Sequence, residues 1–205
     1  MSIAVIDYGS GNLKSAAKAL EAAASNVNAS FKIVVTSDPK TIKQSDKIVL
    51  PGQGSFRDCH LGIKKIPGLH ETLNEFVLEK KKPILGICVG MQLFAKTGYE
   101  SQETKGFGWI DAEVRKVNNM NKKIKLPHMG WNTVTPVADA ALFKGIDSGS
   151  YFYFVHSFHF VPGQKKDIIA TTPYCGSFVS AVQKVFHFLF QTIHLLFLFP
   201  DYEYK

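Results

Sequence analysis

Short apolar runs alternate with helix-like stretches through the first half of the chain. Residues 3–6 (IAVI) form a buried-strand run stopped by DYGSGN, and residues 13–24 carry an alanine-rich helical pattern. Residues 31–36 (FKIVVT) are β-branched and end at the turn signal Ser37-Asp38-Pro39. Residues 47–50 (KIVL) read as another strand, closed by Pro51-Gly52-Gln53-Gly54. Between residues 70 and 80, Leu73, Phe76 and Val77 recur at helical spacing and predict an amphipathic helix. A further run from Pro83 to Ile87 ends at Cys88, and a helix-like pattern follows Gly90. Strands alternating with helices in units of this size predict a parallel sheet covered on both faces. From about Gly106 the helical patterns stop, and GFGWIDAEVRKV, LPHMGWNTVTPV, YFYFVHSFHFVP and DIIATTPY read as β-rich segments with turn punctuation. With no internal repeat and no low-complexity linker, 205 residues suit one α/β domain over 1–205.

Composition changes this picture little. Hydrophobic content of 45% and charged content of 20% are those of a soluble globular protein. The net charge of +7 is nearly all lysine, in scattered pairs and triplets such as Lys64-Lys65, Lys80 to Lys82, Lys122-Lys123 and Lys165-Lys166, and the arginines are Arg57 and Arg115. Nucleic-acid readers lean on arginine and cluster their charge, so no nucleic-acid partner is expected. Steering of an anionic substrate or docking on an acidic partner accounts for the excess. Cys59, Cys88 and Cys175 form no CxxC pair, which points to a reducing compartment and away from a disulfide framework or a metal site. The start MSIAVIDYGSGN lacks the basic and long apolar regions of a signal peptide, and no uninterrupted apolar run reaches about 18 residues. A cytoplasmic protein, with no membrane contact, is the expectation.

The candidate chemistry lies in Gly86-Ile87-Cys88-Val89-Gly90. A nucleophile between two such glycines, where a strand becomes a helix, has the form of a nucleophile elbow. Unpaired N–H groups and the dipole of the following helix would favour the thiolate. The plainer reading is a buried structural cysteine at the end of a core strand. A second signal, LPGQGSF over residues 50–56, ends a neighbouring strand with glycines at the carboxyl edge of the sheet, where parallel sheets bind ligands. An oxyanion hole needs the N–H after the nucleophile, here Val89, and one from a neighbouring loop, which Gly52 or Gly54 can supply.

Together, PGQGSF and PILGICVGMQLF resemble the class I (triad) glutamine amidotransferases, and IDYGSGNLKS, KLPHMGWN, YFYFVHSF and GSFVSAVQK resemble, within that family, the glutaminase subunits of imidazole glycerol phosphate synthase. The resemblance covers residues 2–184. It implies an α/β, flavodoxin-like fold: a mostly parallel sheet flanked by helices, with a β-rich C-terminal half. It also implies hydrolysis of L-glutamine through a cysteine thioester, no cofactor, and a (β/α)8-barrel cyclase subunit that receives the ammonia. Carried over by position, Cys88 is the nucleophile, Val89 an oxyanion donor, Gly52 and Gly54 the oxyanion loop, and Gln92 a substrate contact. Ser157 and Phe158 offer backbone contacts to the amino-acid end of glutamine. Lys125, Pro127, His128, Met129, Trp131, Asn132 and Tyr153 face the cyclase. Gln92 as a solvated helix residue, YFYFV as a plain core strand, and Met129 and Trp131 as core residues are the alternatives.

The family's base is a histidine in a His-Pro-Glu motif some nine residues beyond the lysine matching Lys184, and this chain has no such motif. Of its seven histidines, His60 and His70 are expected on the surface and His128 in the interface loop. His156 and His159 are expected on opposite faces of one strand. His187 and His194 lie in the tail, where FQTIH puts His194 one position late for the base and the nearest acid is Asp201. Residues 185–199 hold five phenylalanines and no charge. Replacement of the C-terminus, as by a frameshift, and a natural variant that packs Phe186, Phe188 and Phe190 as a strand are both open; membrane attachment is a third reading, disfavoured because the stretch is too short to cross.

Overall fold

The computed structural model describes residues 1–27, 29–118, 125–137, 140–174 and 176–184, and the backbone of 187–190. Its first half is built of β1 (Ser2–Ile6), α1 (Leu13–Asn26), β2 (Lys32–Thr36), α2 (Pro39–Gln44), β3 (Lys47–Gly52), α3 (Phe56–Lys65), α4 (Leu69–Asn74), β4 (Ile84–Cys88) and α5 (Val89–Gln92). The expected helix over 70–80 is two pieces, α4 and a wider π turn over Glu75–Glu79 that buries Phe76 and Val77. The second half holds β5 (Thr97–Tyr99), β6 (Glu103–Lys105), β7 (Ala112–Lys116), β8 (His128–Thr133), β9 (Thr135–Pro136), β10 (Tyr151–His156), β11 (Phe158–Pro162), β12 (Ile168–Pro173), β13 (Ser177–Lys184) and β14 (His187–Phe190).

Parallel strands run in the order β2-β1-β3-β4-β14, and the sheet then continues through β13, β11 and β7 with antiparallel pairs. The apolar runs explain the parallel half: Ala4, Val5 and Ile6 of β1 and Ile48, Val49 and Leu50 of β3 are fully or almost fully buried, as strands covered on both faces must be. Helix ends are set by side chains. Asp38 accepts from the N–H groups of Lys40 and Thr41 at the start of α2, and Ser55 accepts from Asp58 at the start of α3.

Two consequences matter for function. First, β3 and β4 pair with Gly52 beside Cys88, so PGQGSF and the elbow do lie side by side at one sheet edge. Second, β8 and β10 form a separate antiparallel ribbon, with His128 beside His156 and Trp131 beside Tyr153. The tail contributes to the sheet: β14 lies between β4 and β13, with Phe190 beside Ile87. His194, Phe186 and Cys175 lie outside the described residues.

Candidate active site

Cys88 closes β4 with φ +56° and ψ −121°, a conformation that L residues rarely hold, and α5 starts at the next residue. Such strain, of order 1–3 kcal/mol, persists where the surroundings enforce it and is common at reactive positions. The enforcing contact is visible. A Cβ on Gly90 would collide with the Leu50 carbonyl oxygen, and one on Gly52 with the Gly90 nitrogen, so the two glycines let the elbow sit directly on β3. Gly54 is required for another reason: its φ is +102° with open space around it.

The loop after β3 is pinned by side chains. Tyr8 Oη donates to Pro51 O at 2.6 Å, Ser10 Oγ donates to Gln53 O at 2.5 Å, and the Gln53 N–H donates back to Ser10 Oγ at 3.0 Å. The Cys59 thiol donates to Gln53 O at 3.4 Å, which makes Cys59 a buried strut. Gln53's N–H is thus engaged by Ser10. Gly54 borders the larger cleft with Cys88 and Val89, and Gly52 borders a smaller space with Cys88, Asn12 and Ser15, so both glycine candidates lie beside the nucleophile.

The larger cleft, of about 340 Å³, runs from Cys88 and Val89 to Gln92, Ser157 and Phe158. Gln92 is buried, not solvated, and its Nε2 donates to Phe158 O at 3.3 Å. Ser157 O accepts from the Val117 N–H at 2.9 Å, so both peptide units of this wall are held. Glu100 also lines the cleft, with Oε2 accepting from the Phe56 N–H at 2.7 Å. YESQE carries no motif that marks Glu100 in the sequence, yet its carboxylate complements an ammonium group.

Electrostatics overturn one expectation. The thiol of Cys88 is pushed up to about 12 by burial, against an ordinary 9.0, and the hydrogen bond from Val89 N–H offsets only part of that. The side chain is only 8% exposed, and burial is the main cause, with nearby Cys59 adding to it. Without a base, the thiol is the resting form. His156 borders the cleft, but its ring nitrogens are engaged by His128 at 3.0 Å and Phe158 O at 3.1 Å, so it is not placed to accept the thiol proton.

The comparisons with known proteins decide the family. A family model described as glutamine amidotransferase class-I matches residues 4–189. The chain is 50% identical over 185 residues to the imidazole glycerol phosphate synthase subunit HisH of Pelagibacter ubique, covering 90% of this chain and 87% of that protein. It is 45% identical over 183 residues to the HisH of Rhodospirillum rubrum, covering 89% and 86%. The chain belongs to the class-I glutamine amidotransferases, in the HisH family. A solved glutamine amidotransferase superposes with a TM-score of 0.70 over 95% of this chain and 91% of its own at 14% identity. Another, from Thermotoga maritima, gives 0.64 over 94% and 75% at 18%, which supports the shared fold.

Several positions in this amidotransferase differ from what the sequence suggested. The segment 125–132 is not a loop throughout, since β8 starts at His128. His128 is 3% exposed and Asn132 turns its amide inward to Pro173 O at 2.7 Å, so neither side chain belongs to the outer face. Met129 and Trp131, 62% and 45% exposed, are not core, and Lys125 and Pro127 are also exposed. Tyr153 packs edge-on against Trp131 at 5.5 Å. His60 is buried against His70 and Phe107, where surface residues were expected. His156 and His159 do not share one strand: the chain bends at Ser157, and both rings pack on Phe178. Among the described residues no group of three His, Cys, Asp or Glu is placed to hold a metal, and no helix is long and apolar enough to cross a membrane.

Proposed function

We propose that this chain is the glutaminase subunit of an imidazole glycerol phosphate synthase. In this reading it hydrolyses L-glutamine to glutamate and ammonia and delivers the ammonia to a (β/α)8-barrel cyclase subunit, in the cytoplasm, for histidine biosynthesis. The whole chain acts as one domain, and no cofactor, metal, nucleic acid or membrane enters the scheme. The observation that carries it is the strained Cys88 lining one cleft with Gln92 and Phe158. Cys88 Sγ attacks the side-chain amide carbon of glutamine, and the oxyanion is met by the N–H groups of Val89 and Gly54. The thiol proton ends on the departing ammonia. Water then cleaves the γ-glutamyl thioester and restores the thiol. Gln92, Glu100, Ser157 and Phe158 hold the amino-acid end, with Glu100 set against the α-ammonium. The exposed apolar face of Met129, Trp131 and Tyr153, with Lys125 and Pro127 at its edge, suits the docked cyclase.

A glutamine-like diazo ketone tests this reading: it should add its mass to the peptide containing Cys88, and Cys88→Ala should abolish both labelling and any glutamine hydrolysis. Labelling of Cys59 or Cys175 in its place would sink the assignment. A second reading, a subunit that docks on the cyclase with little turnover of its own, is favoured by the protonated state of Cys88 and the missing His-Pro-Glu motif.

A further inference from the structure

The inner face of the β8–β10 ribbon carries a run of hydrogen bonds whose direction can be worked out atom by atom. The Thr133 N–H donates to Asn132 Oδ1 at 2.8 Å, which fixes the amide and makes Nδ2 the atom facing inward. Asn132 Nδ2 donates to Pro173 O at 2.7 Å and lies 3.3 Å from His128 Nε2. His128 Nε2 is therefore an acceptor, and the ring's proton sits on Nδ1. Nδ1 donates to His156 Nε2 at 3.0 Å, so His156 in turn carries its proton on Nδ1. That proton goes to Phe158 O at 3.1 Å. Every donor points the same way, from Asn132 to the carbonyl that forms the glutamine wall. The same carbonyl receives Gln92 Nε2 at 3.3 Å, which settles which end of the Gln92 amide is presented to the cleft.

The surroundings keep this chain neutral and rigid. His128 is stacked between Tyr174 at 3.7 Å and Phe154 at 5.1 Å, and His156 lies on Phe178 at 4.7 Å. Burial holds both imidazoles below their ordinary range, His156 at about 4, so neither carries a second proton at neutral pH. A proton added to His156 Nε2 would set two donors against each other across 3.0 Å.

We propose that His128 and His156 are positioning residues for glutamine: locked as Nδ1–H tautomers, they hold the Phe158 carbonyl, and through it Gln92, in the geometry that binds the amino-acid end of the substrate. This rests on the glutaminase reading above. Its distinguishing mark is that one ring nitrogen of His156 serves the site and the other serves the fold. His156→Asn keeps a donor where Nδ1 stood and loses the link to His128; His156→Phe keeps a ring and loses both.

The test is calorimetric titration of L-glutamine into the full chain bound to its cyclase subunit, in a Cys88→Ala background that prevents turnover. His156→Phe should raise the glutamine Kd at least tenfold, and His156→Asn should bring it back to within about threefold. Both should melt earlier than the parent, because both strand the His128 Nδ1–H, so stability alone cannot reproduce that split. An unchanged Kd in folded His156→Phe, or a Kd for His156→Asn as weak as that for His156→Phe, overturns the proposal. Nitrogen-15 NMR of the unsubstituted chain needs no variant to fold: an Nε2–H tautomer at either histidine overturns it as well. Failure of the unsubstituted Cys88→Ala complex to bind glutamine at millimolar concentration would remove the glutaminase reading, and this inference with it.

Discussion

Alkylation of Cys88 by iodoacetamide should be roughly 50-fold slower at pH 7 than alkylation of a free cysteine. Burial lifts the thiol from 9.0 to about 12, and three pH units remove about a thousandfold of thiolate at neutral pH. A more basic thiolate is also a better nucleophile, and a Brønsted slope of about 0.4–0.5 returns roughly 15- to 30-fold of that loss. The assay is the mass of the Cys88 peptide against time from pH 7 to pH 11. The logarithm of the rate should climb by about one per pH unit with no plateau below pH 10. Stability gives an independent check. A folded pKa above the unfolded one means that the native state keeps its proton longer, so the contribution is full below pH 9 and is lost as the pH climbs toward 12. Urea unfolding should therefore weaken by about 1.4 kcal/mol more per pH unit above pH 9 than in Cys88→Ala, which keeps only the slope that buried Cys59 and Tyr8 contribute. A plateau at or below pH 8, or a neutral-pH rate equal to that of free cysteine, would show that a base reaches the thiol and would refute the argument.

Three further outcomes are expected. Steady glutamine turnover, even with the cyclase present, should be at least ~10³-fold slower than in a version whose tail after Lys184 carries His-Pro-Glu, while the cyclase still runs on ammonium salts; turnover that is near family rates and vanishes in His194→Ala would identify a substitute base. Trp131→Ala should weaken the complex with the cyclase by about 2 kcal/mol, roughly 30-fold in Kd by analytical ultracentrifugation, and an unaffected complex would remove the aromatic anchor. His60 and His156 are both held at about 4, so acidification from 6.5 toward 4 favours the unfolded chain, which takes up protons that the native state refuses. That loss should approach ~3 kcal/mol per histidine, and a melting temperature that stays flat from pH 7 to pH 4 would contradict the burial.

The parallel half was legible because its inner strands β1, β3 and β4 are buried on both faces and read as bare apolar runs, IAVI, KIVL and PILGI, cut by glycine turns, while the edge strand β2 is only partly buried. The elbow was legible for a related reason: Gly86 and Gly90 are needed by close backbone approach, and that demand shows in any sequence. What stayed hidden depends on long-range packing. Whether His128 faces a partner or the core follows from its place in the two-residue alternation of β8, and nothing in PHMGWN marks where that strand begins. The bend at Ser157, which brings His156 and His159 to one phenylalanine, left no glycine or proline signal. The raised thiol stayed hidden because a strand-to-helix signal does not say how deeply the turn is buried, and burial is what pushes Cys88 up.

The tail separates two requirements that the resemblance joined. Pairing of β14 with β4 and β13 uses backbone N–H and C=O groups, which every non-proline residue supplies, so an extended apolar segment without His-Pro-Glu can complete the sheet. Catalysis asks for one imidazole at one place, because expelling ammonia needs a proton donor and cleaving the thioester needs a base for water. β14 reaches Phe190 beside Ile87, one register step short of Cys88, so the geometry brings the chain to the right edge without dictating which side chain arrives there. Completion of the sheet is thus separable from the missing motif, and turnover is the property that its loss should touch.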